Sequence, residues 1–198
     1  EMLRSLVGSE MCIRDRDNRF AYRKNVLPTS MHPSQAALIV SLAKPYLKET
    51  AQIMDPFCGV GTLLIERAHL VPAREIYATD TYGDAITMGR ENAAFAKTRI
   101  NFIHRDFFDF RHDYKFDELI TDMPVRNRQT KAEMELFYER FFDKAAEHLV
   151  SGGIIVMYSN EIGFVKKQIR LRVEYRLLQE TCILDKKDFY LFVIRYED

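Results

Sequence analysis

From Asp17 onward the apolar residues recur with two alternating periods, and each change of period marks a new element. Pro33 suits the first turn of a helix, and Ala36, Ile39, Val40, Ala43 and Leu47 follow it at helical spacing. The spacing predicts an amphipathic helix over 33–47, bent at Pro45. A short apolar strand over 51–54 runs into a glycine-bearing loop, and a helix over Thr62–Leu70 follows. The same strand-then-helix order returns at 75–79 and 83–97, and further strands are predicted at 100–104 and 116–121. A long helical stretch covers 131–149 and is expected to stop at Ser151-Gly152-Gly153, read as a C-cap. A β-branched strand at 154–159 and a basic helix over 161–172 complete the alternation. Strands separated by helices of this length predict an α/β fold with a parallel sheet.

The pattern then changes. Tyr175–Leu184 and Phe189–Tyr196 are two strand-like runs joined only by Asp185-Lys186-Lys187-Asp188. So short a link makes a hairpin, and hairpin strands are antiparallel. A nicotinamide-type Rossmann domain stays parallel to its end. A Rossmann-like sheet of mostly parallel strands with a C-terminal antiparallel hairpin instead resembles class I methyltransferases.

Composition narrows the setting. The 198 residues suffice for one domain with a full core, and the 47% hydrophobic and 29% charged fractions are those of an ordinary globular chain. No apolar run approaches the ~20 residues of a membrane helix. Cys12, Cys58 and Cys182 show neither pairing nor metal-ligand spacing, so no metal is expected and a reducing, cytoplasmic setting is the default. The 29 basic and 29 acidic residues cancel. A domain gripping nucleic acid alone is usually basic, so an RNA substrate would need another domain or partner to hold it. No oligomeric state is implied. Residues 1–16 are set apart: 6–16 reads LVGSEMCIRDR, which resembles the in-frame translation of a transposase adapter from sequencing libraries, leaving 17–198 as the domain.

Ligands of open α/β sheets bind at the carboxyl ends of the strands, and that is where this sequence places acids. Asp55, Asp80, Asp106 and Asp122 follow the first four predicted strands. Gly59 and Gly61 let the backbone pass close to a ligand, and Thr62 then opens the helix. A leading carboxylate would repel a pyrophosphate, which argues against a dinucleotide. Asp55 suits the cationic aminoacyl end of S-adenosylmethionine. Asp80 stands at nearly the ~20-residue spacing at which an acid takes ribose hydroxyls, and Asp106 can accept from the adenine amino group. Phe57 and Phe107 are further candidates for the cofactor pocket.

The stretches PTSMHPSQAALI at 28–39, DPFCGVGTLLIERA at 55–68, TD at 79–80, RDFFDF at 105–110 and TDMP at 121–124 together resemble one family. It is the methyltransferase domain of THUMP-linked RNA methylases, which modify guanosine on its exocyclic amine in tRNA or rRNA. The resemblance covers 17–198. It implies a seven-stranded sheet with the last strand antiparallel, S-adenosylmethionine as cofactor, and an upstream RNA-binding domain.

Amino-group methylases carry a [D/N]-P-P-[Y/F/W] motif after the fourth strand. An amine conjugated to its ring is a poor nucleophile, so acceptors must hold its N–H groups, aim its lone pair and take its proton. Here the motif reads Asp122-Met123-Pro124-Val125. The acid and the third-position Pro124 remain, while the second proline and the stacking aromatic are gone. Val125 stacks more weakly on a base than an aromatic, whose contacts are worth ~1–3 kcal/mol. Arg126, or a phenylalanine of 107–110, could lie on the base instead. Methylation of another atom, a DNA amino-methyltransferase and a non-catalytic cofactor- or RNA-binding module therefore stay open. Of the remaining candidates, Cys182 reads as a core residue, Cys58 as packing and His32 as a helix-start residue. The 134–142 stretch reads as core. The basic run Lys166, Lys167, Arg170, Arg172 and Arg176 is either a solvated face or an RNA contact.

Overall fold

The computed structural model describes residues 18–184 and 188–198. The adapter-like stretch 1–16, with Cys12, and most of the link between the last two strands lie outside these residues. Seven strands, β1 (Gln52–Asp55), β2 (Glu75–Asp80), β3 (Asn101–His104), β4 (Phe116–Asp122), β5 (Leu149–Ser159), β6 (Tyr175–Leu184) and β7 (Phe189–Tyr196), form a single sheet. Their order is β3-β2-β1-β4-β5-β7-β6. β1 to β5 are parallel, and β7 runs antiparallel to both β5 and β6. Among the described residues, α1 (Pro33–Ala43) precedes β1, and four helices connect the strands: α2 (Thr62–Leu70), α3 (Gly83–Phe95), α4 (Lys131–His148) and α5 (Ile162–Leu171).

The pleat divides the sheet residues between two cores, because successive side chains point to opposite faces. Val156 and Tyr158 join Ile39, Val40, Leu64 and Ile86 of α1 to α3. Ile155 and Met157 join Tyr138, Phe141, Phe142 and Val165 of α4 and α5. A sheet covered on both faces reads as continuous apolar runs, as 154–158 does. The 134–142 stretch supplies the second core, with Met134, Tyr138, Phe141 and Phe142 fully buried.

Two local expectations are corrected. The first helix ends at Ala43, and Lys44–Tyr46 continues as a 3-10 turn carrying Pro45. Ser151-Gly152-Gly153 does not cap α4. The helix ends at His148, and the glycines lie inside β5, whose pairing with β4 jumps from Phe116–Leu149 to Glu118–Ile154. This bulge explains both residues. Gly152 takes φ +78°, and a Cβ on Gly153 would sit 2.8 Å from the Val150 carbonyl. No helix among the described residues is long and apolar enough to cross a membrane.

Candidate functional site

The site begins where β1 ends. Asp55 is fully buried, and its Oδ1 accepts from the Phe57 amide at 3.0 Å. The loop that follows is stitched to β2: Cys58 N donates to the Thr79 carbonyl (2.9 Å), and the Thr79 hydroxyl donates to the Pro56 carbonyl (2.9 Å). Gly61 N then donates to the Cys58 carbonyl, closing a turn that needs φ +50° at Gly59 and φ +79° at Gly61. Space restricts Gly61 as well, since a Cβ there would lie 2.8 Å from the Phe102 ring. At Gly59 nothing lies within 4 Å of that position, so the backbone faces open space. Asp80, at the end of β2, accepts from Gly59 N through Oδ2 and from Tyr82 N through Oδ1, both at 2.8 Å. Each oxygen keeps a lone pair for a ligand.

Beside this loop lies a cleft of about 620 Å³, within the ~300–1,000 Å³ range of small-molecule sites. Asp55, Phe57, Gly59, Thr62 and Asp80 line it together with Asp122, Pro124, Val125 and Arg126. Three carboxylates thus share one cavity. Burial pushes Asp55 from its ordinary 3.8 up to about 8, and the charges of Asp122 and Asp80 add to the shift. Burial alone pushes Asp122 up to about 7. The Thr62 hydroxyl is buried without a hydrogen-bond partner. A cleft of acids, an unpartnered hydroxyl and a bare glycine backbone fits a hydroxyl-rich, cationic ligand such as S-adenosylmethionine, whose positive charge favours the ionised form of the buried carboxyls.

Three of the residues singled out in the sequence lie outside the lining. Gly61 shapes the loop from behind. Asp106 caps the 3-10 turn Phe107–Asp109 by accepting from Phe108 N at 3.0 Å. Phe107 is buried and turns its ring into the second core, 6.0 Å from Phe57 and 5.9 Å from Phe141 (centroids), so it backs the Phe57 wall. Sequence reasoning also missed a wall: Leu27, Thr29, Ser30 and Met31, from the aperiodic segment before α1, line the cleft. Buried Asn92 of α3 holds that segment. Its Oδ1 accepts from Lys24 N (3.1 Å) and Asn25 N (3.0 Å), and its Nδ2 donates to the carbonyls of Asn25 (2.9 Å) and Val60 (3.4 Å). An asparagine inside a helix, where it competes with the backbone, was the available signal.

His32 caps α1, its Nδ1 accepting from Ser34 N, and Cys58 is a buried packing residue of the loop. Cys182 departs from expectation: it is exposed on the edge strand β6, because the sheet's last strand has no neighbour to cover it. The basic run is largely neutralised. Lys166 pairs with Glu180 (2.8 Å), Lys167 with Glu135, Arg172 with Asp143 (2.6 Å) and Arg176 with Glu197 (4.0 Å).

Strand order, the single antiparallel β7 and a cleft at the carboxyl ends of β1, β2 and β4 define a class I methyltransferase fold. Residues 21–181 match the RMKL-like methyltransferase domain, and the chain belongs to that family. It is a methyltransferase domain. It is 32% identical over 157 residues to the tRNA (guanine(10)-N2)-dimethyltransferase of Methanothermobacter thermautotrophicus, covering 76% of this chain and 46% of that protein. It is 25% identical over 155 residues to the release factor glutamine methyltransferase of Lactococcus lactis, covering 69% of this chain and 56% of the relative. The chain thus spans about half the length of these curated relatives. Among solved structures, TrmN from Thermus thermophilus superposes with a TM-score of 0.74 at 22% identity, over 90% of this chain and 52% of that one. A methyltransferase from Pyrococcus furiosus superposes with a TM-score of 0.71 at 13% identity, over 99% and 97%. At these identities the likeness is one of fold.

Proposed function

We propose that this domain transfers a methyl group from S-adenosylmethionine to the exocyclic amino group of a guanosine in tRNA. The observation that carries the reading is the meeting of Asp122 with Asp55, Asp80 and Gly59 in one cleft. A donor pocket and an acceptor for amine N–H groups are then within one cavity, as in-line transfer requires. The archaeal relative that acts on tRNA guanine N2 supports the choice of acceptor.

In this reading Asp80 takes the ribose hydroxyls, and Asp55 faces the aminoacyl ammonium. Gly59 lets the nucleoside approach the backbone, Gly61 keeps the loop's shape and Thr62 offers its spare hydroxyl. Phe57, backed by Phe107, forms the apolar wall, and Asp106 shapes that wall by capping the turn that carries Phe107. The bound cofactor supplies an electrophilic sulfonium methyl. Asp122 Oδ and the Met123 carbonyl hold the two N–H groups of the target amine, and Asp122 receives the proton as the methyl arrives. Pro124 fixes the direction of the chain leaving Asp122, while Val125 and Arg126 cover the face of the base. An RNA-binding domain upstream of residue 17 would supply most of the grip on tRNA, in keeping with the zero net charge.

The test is methyl incorporation into unmodified tRNA transcripts. Asp122→Ala should lower kcat by ~10²–10⁴-fold while calorimetry shows the cofactor still bound. Full activity in that variant, or transfer to DNA and not to RNA, defeats the reading.

A further inference from the structure

Segment 124–131, which leads from β4 to α4, reads Pro-Val-Arg-Asn-Arg-Gln-Thr-Lys and is exposed throughout. It holds three cations and no acid, and it begins two residues after Asp122 at the lip of the cleft. Its charges are less neutralised than those of Lys166, Lys167 and Arg172, each closely paired with an acid. Arg126 is only loosely paired, 3.7 Å from Glu161. Arg128 has no ion pair or hydrogen bond among the described residues. Lys131 exerts no more than a weak pull on Glu135, whose partner is Lys167.

Lys131 also stands where local physics disfavours it. It is the first residue of α4, directly after the N-cap Thr130, whose capping box with Glu133 is complete. A helix N-terminus carries partial positive charge and favours acids. Two arginines stand within five residues before it, and Glu135 and Glu161 line the same shallow pocket as Lys131.

We propose that segment 124–131 is a docking surface for the phosphates of the nucleic-acid strand that presents its base to the cleft, with Arg128 and Lys131 as the phosphate contacts. The location follows from geometry: a base that reaches Asp122 leaves its own backbone at the lip, which residues 124–127 form and from which the chain runs directly to Arg128 and Lys131. The inference depends on the proposed function only for what the strand delivers. It also moves the strand's path away from α5, whose lysines are held by Glu180 and Glu135.

The test is a salt titration of binding to a labelled single-stranded oligoribonucleotide, with no methyl donor present. Each lost phosphate contact should reduce the slope of log affinity against log salt by about 0.7. Arg128→Gln with Lys131→Gln should therefore lower both affinity and slope, whereas Lys166→Gln with Lys167→Gln should leave the slope unchanged. Lys131→Gln alone should not lower the melting temperature; a fall would show that the lysine serves α4 and would overturn the proposal. So would an unchanged slope in the double variant, an equal loss from the α5 pair, or affinity for a glutamine-bearing polypeptide with none for the oligonucleotide. Calorimetry with S-adenosylmethionine on the same proteins separates the two ideas. If cofactor binding is absent while the slopes behave as stated, the catalytic reading falls and the docking surface stands.

Discussion

At the residue scale, burial favours the protonated form of both Asp55 and Asp122, with different consequences for stability and for rate. Asp55 is held at about 8 against an ordinary 3.8, so the ligand-free folded state binds a proton that the unfolded chain releases. Linkage then makes stability fall as pH rises from about 4 through 8, because ionising the buried group is unfavourable. Asp55→Asn should flatten this fall and melt higher than the parent at pH 8, as thermal unfolding across pH would show. The same variant should bind S-adenosylmethionine more weakly, since it cannot offer a carboxylate to the ammonium. A loss of stability at pH 8 would contradict the assignment. Asp122, held at about 7 by burial, must be ionised to accept the amine proton. The methyl-transfer rate should therefore rise through pH 7 and level off above it, with an apparent midpoint shared by the neighbouring acids. A rate that declines over that interval would exclude Asp122 as the acceptor.

At the scale of elements, the cleft depends on a segment without periodicity. The chain from Tyr22 to Met31 is fastened at Asn92 and by Arg23, whose Nη2 donates to the carbonyls of Ser30 and Met31. Asn92→Ala would leave the part-buried amides of Lys24 and Asn25 and the buried carbonyl of Val60 without this partner; a buried group so stranded costs about 1–3 kcal/mol and part-buried ones less. The expected result is faster hydrogen exchange at residues 24–31 and weaker cofactor binding, with helices α4 and α5 unaffected. Uniform exchange across the domain would instead mean general destabilisation. This segment also shows where sequence reading stops. The strands, most of the helices and the positions of Asp55, Asp80 and Asp122 at strand ends were legible because burial imposes a period and strand ends recur in register, whereas Asp106 lies outside the cleft. Thr29 to Met31 were not, because side-chain clamps hold them and clamps leave no period. Gly152 and Gly153 misled for a related reason. A glycine pair after a helix suits a C-cap, and only the pairing of β5 with β4 shows that it serves a bulge. The order of the terminal hairpin strands, with β7 inside β6, was equally invisible to local pattern.

At the scale of the whole molecule, one ion pair ties the first helical layer to the sheet. Arg67 of α2 and Glu118 of β4 are both buried, and they meet through Nε–Oε1 at 2.9 Å and Nη2–Oε2 at 2.8 Å. Arg67 also donates to the carbonyls of Val71 and Lys48, so it ties both ends of the region around β1. Removing one member of such a pair leaves an uncompensated buried charge, at a cost of about 3–5 kcal/mol. The two members should differ in how pH changes that cost. Burial pushes the Glu118 carboxyl up from its ordinary value, and the arginine pulls it back down. In Arg67→Met the carboxyl escapes by taking a proton, so the loss of stability should shrink as pH falls toward 5. In Glu118→Leu the guanidinium has no such escape, and its loss should stay nearly constant over the same range. Denaturant unfolding of both variants at two pH values measures the difference, and the Arg67→Met, Glu118→Leu double variant closes the cycle. Because a well-packed apolar pair can replace a buried ion pair at little cost, that double variant should recover part of the stability. The carbonyls of Val71 and Lys48, left without their donor, set the limit of that recovery.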